Sequence, residues 1–228
     1  MMAVFALVFK RLWTQRLTLL VMIVFPFIII LIPQMTDGAP TGPFGLFGLV
    51  LMFSSFLISK QVIEDRQLRT VVRIAASPIS HRDYLMGHLL GYALLVTVQV
   101  LVFTGLALMR YDVGFEFYRL ALPLLWTFGL MTITLALFWH TFFKTFATSL
   151  SLFSVGANIM AVVSGMTFPL SLLPDRLKQI AVVLPTYWFA YGLENAQEQA
   201  VVTVLLSLAI LTAFGIIFIT IGSRRSYE

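Results

Sequence analysis

The chain has 228 residues, 60% of them hydrophobic and 11% charged, with a mean hydropathy of +0.96; a water-soluble fold of this length cannot hide so much apolar surface, so the chain reads as an all-α integral membrane protein. The absence of cysteine excludes disulfides, thiolate catalysis and Cys-based metal sites, and His81, His88 and His140 lie far apart with no HExxH or similar pair, which argues against a metal site. In such a chain the net charge of +5 belongs to cytoplasmic loops and anionic headgroups, not to nucleic acid.

Residues 1–16 open the chain with Met2, Phe5, Ala6, Phe9, Leu12 and Trp13 on one helical stripe and Lys10, Arg11 and Arg16 on or beside the polar side. This pattern predicts an amphipathic interfacial helix feeding the first span. No convincing small-x-small cleavage site follows Ile32, so the segment is not read as a cleaved leader. A membrane-crossing helix needs about 20 apolar residues. Six stretches approach or meet that length: Leu17–Met35, Phe44–Lys60, Tyr84–Met109, Leu120–Trp139, Phe146–Phe168 and Ala200–Ile221. Pro26 is expected to kink the first.

Orientation follows from the basic residues. With six spans, Lys10, Arg11, Arg16, Lys60, Arg66, Arg69, Arg73, Arg82, Lys144, Arg224 and Arg225 fall on one side, and Arg110, Arg119, Arg176 and Lys178 on the other. The bias predicts both termini in the cytoplasm. Three outer connections follow: 34–43, 110–119 and 169–199. The last is apolar, broken by Pro169, Pro174 and Pro185, and too short to span twice, which predicts a re-entrant or interfacial helix.

The cytoplasmic connection 61–79 carries the most information. Arg66, Arg69 and Arg73 share one helical face, Leu68, Val71, Val72 and Ala75 the opposite one, and Pro78 stops the helix. Ser80 and Asp83 form a capping-box pattern at the start of the third span. The helix is read either as lying on anionic lipid or as docking a soluble partner, and the two are compatible.

Within the spans, Gly87 and Gly91 form a GxxxG that permits close helix approach, or is incidental. Gln99 and Asn158 are the clearest amides at membrane depth, read as bonds to neighbouring helices or as lining of a substrate path. His140 and Lys144 are expected as interfacial anchors. Trp13, Trp126, Trp139, Trp188, Tyr187 and Tyr191 read as an aromatic belt near span ends, with Pro185–Phe189 as the alternative element of an outer gate. No span has an acidic or basic residue near its centre, which argues against a proton- or sodium-driven carrier acting alone.

Two runs carry a family resemblance. Glu64 to Gly91, "EDRQLRTVVRIAASPISHRDYLMGHLLG", resembles the cytoplasmic signature of the ABC-2 type permeases, the membrane subunits of ATP-binding cassette exporters. Ser164 to Leu193, "SGMTFPLSLLPDRLKQIAVVLPTYWFAYGL", is similar to that family's outer hairpin before the last span. Arg69 departs from the pattern, standing where the family has glycine before Thr70. The resemblance implies six spans in a single domain over 1–228. It also implies a coupling helix contacting the ATPase through Glu64, Asp65, Arg66, Thr70, Arg73, Ser77 and Pro78, and an outer hairpin shaped by Pro169, Pro174, Pro185, Tyr187 and Trp188. The implied partners are two cytoplasmic ATPase subunits, a second permease subunit (identical or paralogous) and membrane lipids. The chain lacks a GxxxxGK[ST] phosphate loop, so no cofactor is expected on it, and ATP and Mg belong to the partner ATPase. The implied location is a prokaryotic cell membrane. Alternative readings are an ATPase-independent channel, immunity or assembly protein, and a membrane-embedded lipid-modifying enzyme, for which no catalytic constellation is visible.

Overall fold

The computed structural model describes residues 16–31, 42–67, 81–167 and 175–225. These residues form helices α1 (Arg16–Ile30), α2 (Gly42–Ile58), α3 (Lys60–Gln67), α4 (His81–Arg110), α5 (Phe115–His140), α6 (Phe146–Val163), α7 (Asp175–Ala181), α8 (Pro185–Gln197) and α9 (Val201–Arg225). Five helical stretches among them are long and apolar enough to cross a membrane: Gly42–Glu64, Gly87–Arg110, Phe115–His140, Phe146–Val163 and Val201–Gly222. The expected first span is shorter, with an apolar stretch of only Leu20–Ile30 that runs through Pro26.

The span boundaries move outward from the sequence reading where polar residues were counted as loop. Residues 115–119 belong to α5, because Glu116 and Arg119 pair at 2.8 Å along the same helix face and satisfy each other there. The connection between α4 and α5 therefore shrinks to residues 111–114. Gly114, with φ of 81°, makes that four-residue turn passable.

Successive long helices run antiparallel, so the bundle has two ends that are named here by a residue at each. At the Tyr111 end, the Tyr111 hydroxyl donates to the carbonyls of Ile29 and Ile30 at the close of α1, at 3.3 and 3.2 Å. The Tyr118 hydroxyl donates to Ala107 and Tyr111 carbonyls that terminate α4, at 2.9 and 3.1 Å. At the His140 end, the close of α2 meets the close of α5 and the start of α6.

The core lies along α5. This helix packs against α2, α4, α8 and α9, most extensively against α9. Phe47 stacks on Phe103 with centroids 3.8 Å apart, and Phe128 stacks on Phe189 at 4.1 Å, joining α2 to α4 and α5 to α8. In contrast, α6 and α9 leave most of their apolar surface uncovered, including Leu152, Val155, Ile159, Val202, Leu205 and Ile216. Such surface is compatible only with lipid or another membrane helix.

Candidate functional site

Several expected site residues fall outside the described residues: Thr70, Arg73, Ser77, Pro78, Pro169 and Pro174. Residues 1–15, the capping position Ser80 and Trp13 do so as well. Asp65 and Arg66 lie on the backbone of α3. Glu64 closes an i,i+4 pair with Lys60 at 2.9 Å, and Lys60 also sits over the Phe146 ring at 5.1 Å from its centroid.

The connection that begins at α3 is rooted in the bundle. Ser59 interrupts the helix between α2 and α3, although its amide still bonds Ser55 O at 3.1 Å and Val62 N bonds Ser59 O at 3.0 Å. Gln61, Val62 and Ile63 are buried, so the first turn of α3 inserts into the His140 end, where it meets α2, α5 and α6.

His140 is the correction at this end. Its expected place at the interface is wrong: it is the last residue of α5 and is 0% exposed. Its Nδ1 lies 3.0 Å from Ser149 Oγ on α6, and its Nε2 lies 3.0 Å from Ser59 Oγ and 3.4 Å from Phe56 O. Ser59 Oγ donates its hydrogen to Phe56 O at 2.9 Å. Its lone pairs therefore accept from His140 Nε2–H, and Nδ1 accepts from Ser149 Oγ–H. Nothing in a lone histidine at a helix end tells which element it faces. The run Ser54, Ser55, Ser59, Gln61 in an otherwise apolar helix was the available signal, because polar side chains inside a span turn toward partners.

The two amides separate. Gln99 is buried on α4 and its Nε2 donates to Ser54 Oγ on α2 at 2.9 Å, while its Oε1 has no hydrogen-bond partner among the described residues. Beside it Ser55 Oγ donates to Thr132 Oγ1 at 2.8 Å, since the Thr132 hydrogen goes to Gly129 O. Asn158 is exposed on α6, where its Nδ2 returns to Ser154 O of the same helix at 2.7 Å. Among the described residues, the bond to a neighbouring helix expected of Asn158 is therefore not made. Gly87 and Gly91 are both buried on α4.

At the other end, Pro185 occupies the first turn of α8, where a missing N–H costs nothing. The helix lies among α2, α5, α6 and α9. Gly48 faces Phe189 and Met166 so closely that a Cβ there would overlap the Phe189 ring, and a Cβ on Gly192 would stand 2.8 Å from Leu124 Cδ2. Tyr187 and Tyr191 stack at 5.6 Å with Trp188 edge-on to both, and Trp188 Nε1 donates to Val182 O at 2.9 Å. Burial pushes the Glu194 carboxyl above its ordinary range, and Glu198 adds to the effect. Burial, then Tyr191 and Glu194, likewise raise the Tyr187 phenol.

The aromatic belt holds only in part. Trp139, near the close of α5, donates to Ser149 O at 3.2 Å, but Trp126 lies well inside α5 and donates to Thr97 Oγ1 of α4 at 2.9 Å. Trp126 stands between two lateral grooves. One, between α5 and α9, encloses about 310 Å³ and includes Leu130, Leu211 and Gly215; the other, toward α4, encloses about 210 Å³ and includes Val100 and Pro123.

The family model described as "ABC-2 family transporter protein" matches residues 35–224. No curated protein matches the chain.

Proposed function

The chain belongs to the ABC-2 family of transporter proteins, and from that premise we propose that it is the permease subunit of an ATP-driven exporter whose ATPase is a separate chain. The match over 35–224, spread across all five long apolar helices, carries this reading. The connection 61–79 is the cytoplasmic coupling element, contacting an ATPase subunit through Glu64, Asp65, Arg66, Thr70, Arg73, Ser77 and Pro78. The rooting of α3 between α2, α5 and α6 supports this, since a push on α3 reaches three helices at once. Two ATPase subunits hold ATP and Mg and serve a pair of permeases, identical or paralogous. The Lys and Arg bias supports a cytoplasmic position for the His140 end and both termini, in what we read as a prokaryotic cell membrane.

The remaining features fit this arrangement. Residues 1–16 lie along the membrane surface as an amphipathic helix, and 169–199 form the outer re-entrant hairpin. There Pro169, Pro174, Pro185, Tyr187 and Trp188 shape the gate. An amide exposed on a membrane helix is costly against lipid, so the outward face of Asn158 supports a place on the substrate path or against the second permease. Gln99, held by Ser54 inside the subunit, sets the position of α4 beside that path. The apolar grooves beside Trp126 favour an amphiphilic cargo.

Affinity purification of the full chain from native membranes in mild detergent, with every bound chain identified, tests the proposal. A cytoplasmic ATPase is expected, and it should dissociate when Arg66 and Arg73 are replaced by glutamate. Isolation without any ATPase, or labelling of 61–79 from outside intact cells, overturns it.

A further inference from the structure

The root of α3 combines two features that packing alone does not require. One is a fully buried imidazole that ties three elements together: Ser59 at the break before α3, the close of α5 and Ser149 of α6. The other is Gln61, 0% exposed, with neither amide atom hydrogen-bonded among the described residues. Buried amides are normally paired, so Gln61 keeps bonding capacity that its described neighbours do not use.

Their positions are mechanically related. Ser59 is two residues before Gln61, and the Ser59 hydroxyl is engaged on both sides, donating to Phe56 O and accepting from His140 Nε2–H. Apolar contacts let helices slide with little preference for direction, whereas a short hydrogen bond to a fixed ring resists displacement along its own axis. The ring itself is held against Phe56, with centroids 4.5 Å apart. Displacement of the α2–α3 break together with α3 would therefore shift the Ser59 hydroxyl against His140 and, through Nδ1, act on Ser149 at the start of α6. The same displacement moves Gln61 out of the seat in which its amide is unpaired among the described residues.

We propose that His140 is a positioning residue that carries displacement of α3 into α5 and α6, and that Gln61 gains a hydrogen-bond partner in the displaced state. The proposal rests on the permease reading, because that reading supplies the force on α3.

Hydrogen–deuterium exchange on the full complex in native lipid, with and without Mg-ATP plus vanadate, tests it. In the wild type, nucleotide trapping should alter amide exchange both in residues 60–67 and in residues 146–163. In His140→Phe, the change should persist in 60–67 and shrink in 146–163, where Lys60 over Phe146 keeps a second contact with α3. Should His140→Phe fail to assemble, Ser59→Ala and Ser149→Ala each cut one arm of the ring and should give the same selective reduction. A variant that cuts the ring's contacts yet keeps the full nucleotide response in 146–163 overturns the proposal and leaves the permease reading standing. A wild type with no bound ATPase, or with no response to nucleotide, overturns both.

Discussion

Two regions of the bundle, the seat of α8 and the His140 end, are held by different physics. The helix α8 is seated by shape: Gly48 and Gly192 remove side chains where Phe189 and Leu124 must come close, and Phe189 stacks on Phe128. At the His140 end the helices are joined by directed polar contacts, Ser59–His140–Ser149, with Ser54–Gln99 and Ser55–Thr132 further along α2. Shape is exacting about volume and indifferent to hydroxyls; the polar joint has the reverse sensitivity. In a membrane, where lipid is as apolar as leucine, these are the two means by which helices select partners.

The contrast can be broken most forcefully at Phe189. Phe189→Ala should lower stability by about 3–5 kcal/mol, since the ring is wholly buried between α2 and α5. Fluorescence-detected size exclusion after heating in detergent would show it, and a midpoint unchanged from wild type would refute the claim that shape seats α8. Gly48→Ala should cost about 1–3 kcal/mol in the same assay through overpacking against the Phe189 ring. Gly105→Ala, which meets nothing within 4 Å, should instead be neutral or stabilising by about 0.4–1 kcal/mol.

Ser54→Ala changes volume little and removes the partner of Gln99 Nε2. Its expected cost is about 0.6–1.7 kcal/mol, and a larger loss than Gly48→Ala would reverse the assignment of shape and polarity to the two regions. The smallest effect is electrostatic. Because burial and Glu198 raise the folded-state pKa of Glu194 above its unfolded value, the folded chain holds this proton more tightly. Its contribution to stability is then greatest below the unfolded pKa and declines as pH rises through the folded one. Glu194→Gln should match the wild type in acid and exceed it at neutral pH, and melting curves that stay parallel across pH would contradict this.

Much of this architecture was legible beforehand, and the reasons are local. Long apolar runs gave the helix class, and the segments Glu64–Gly91 and Ser164–Leu193 gave the family that the match over 35–224 bears out. Five of the six expected spans were placed within a few residues, except where Glu116 and Arg119 neutralise each other on the helix and so disguise its first turn as loop. The expected first span, Leu17–Met35, meets only the apolar stretch Leu20–Ile30 among the described residues. His140 was misplaced because a titratable side chain at a helix end looks alike whether it meets headgroups or a serine from another span. Trp126 was misplaced for a related reason: indole is amphipathic, and on the exposed flank of α5 its N–H finds Thr97 of α4 as readily as it would find the interface. Asn158 could be found from sequence, but only the fold reveals that it faces away from its own bundle.

The union of α5 with α9 has a consequence for biogenesis. Val204, Ser207 and Leu211 bury one stripe of α9, and Gly215 and Gly222 bring its backbone beside Met131 and Phe138. Of the described helices α9 is the last to leave the ribosome, yet it supplies the most extensive partner of the helix at the centre of the bundle. Until it inserts, α5 presents an uncovered seam to the bilayer and to any chaperone or protease that surveys it. A chain cut short after Ala200 would keep that seam open.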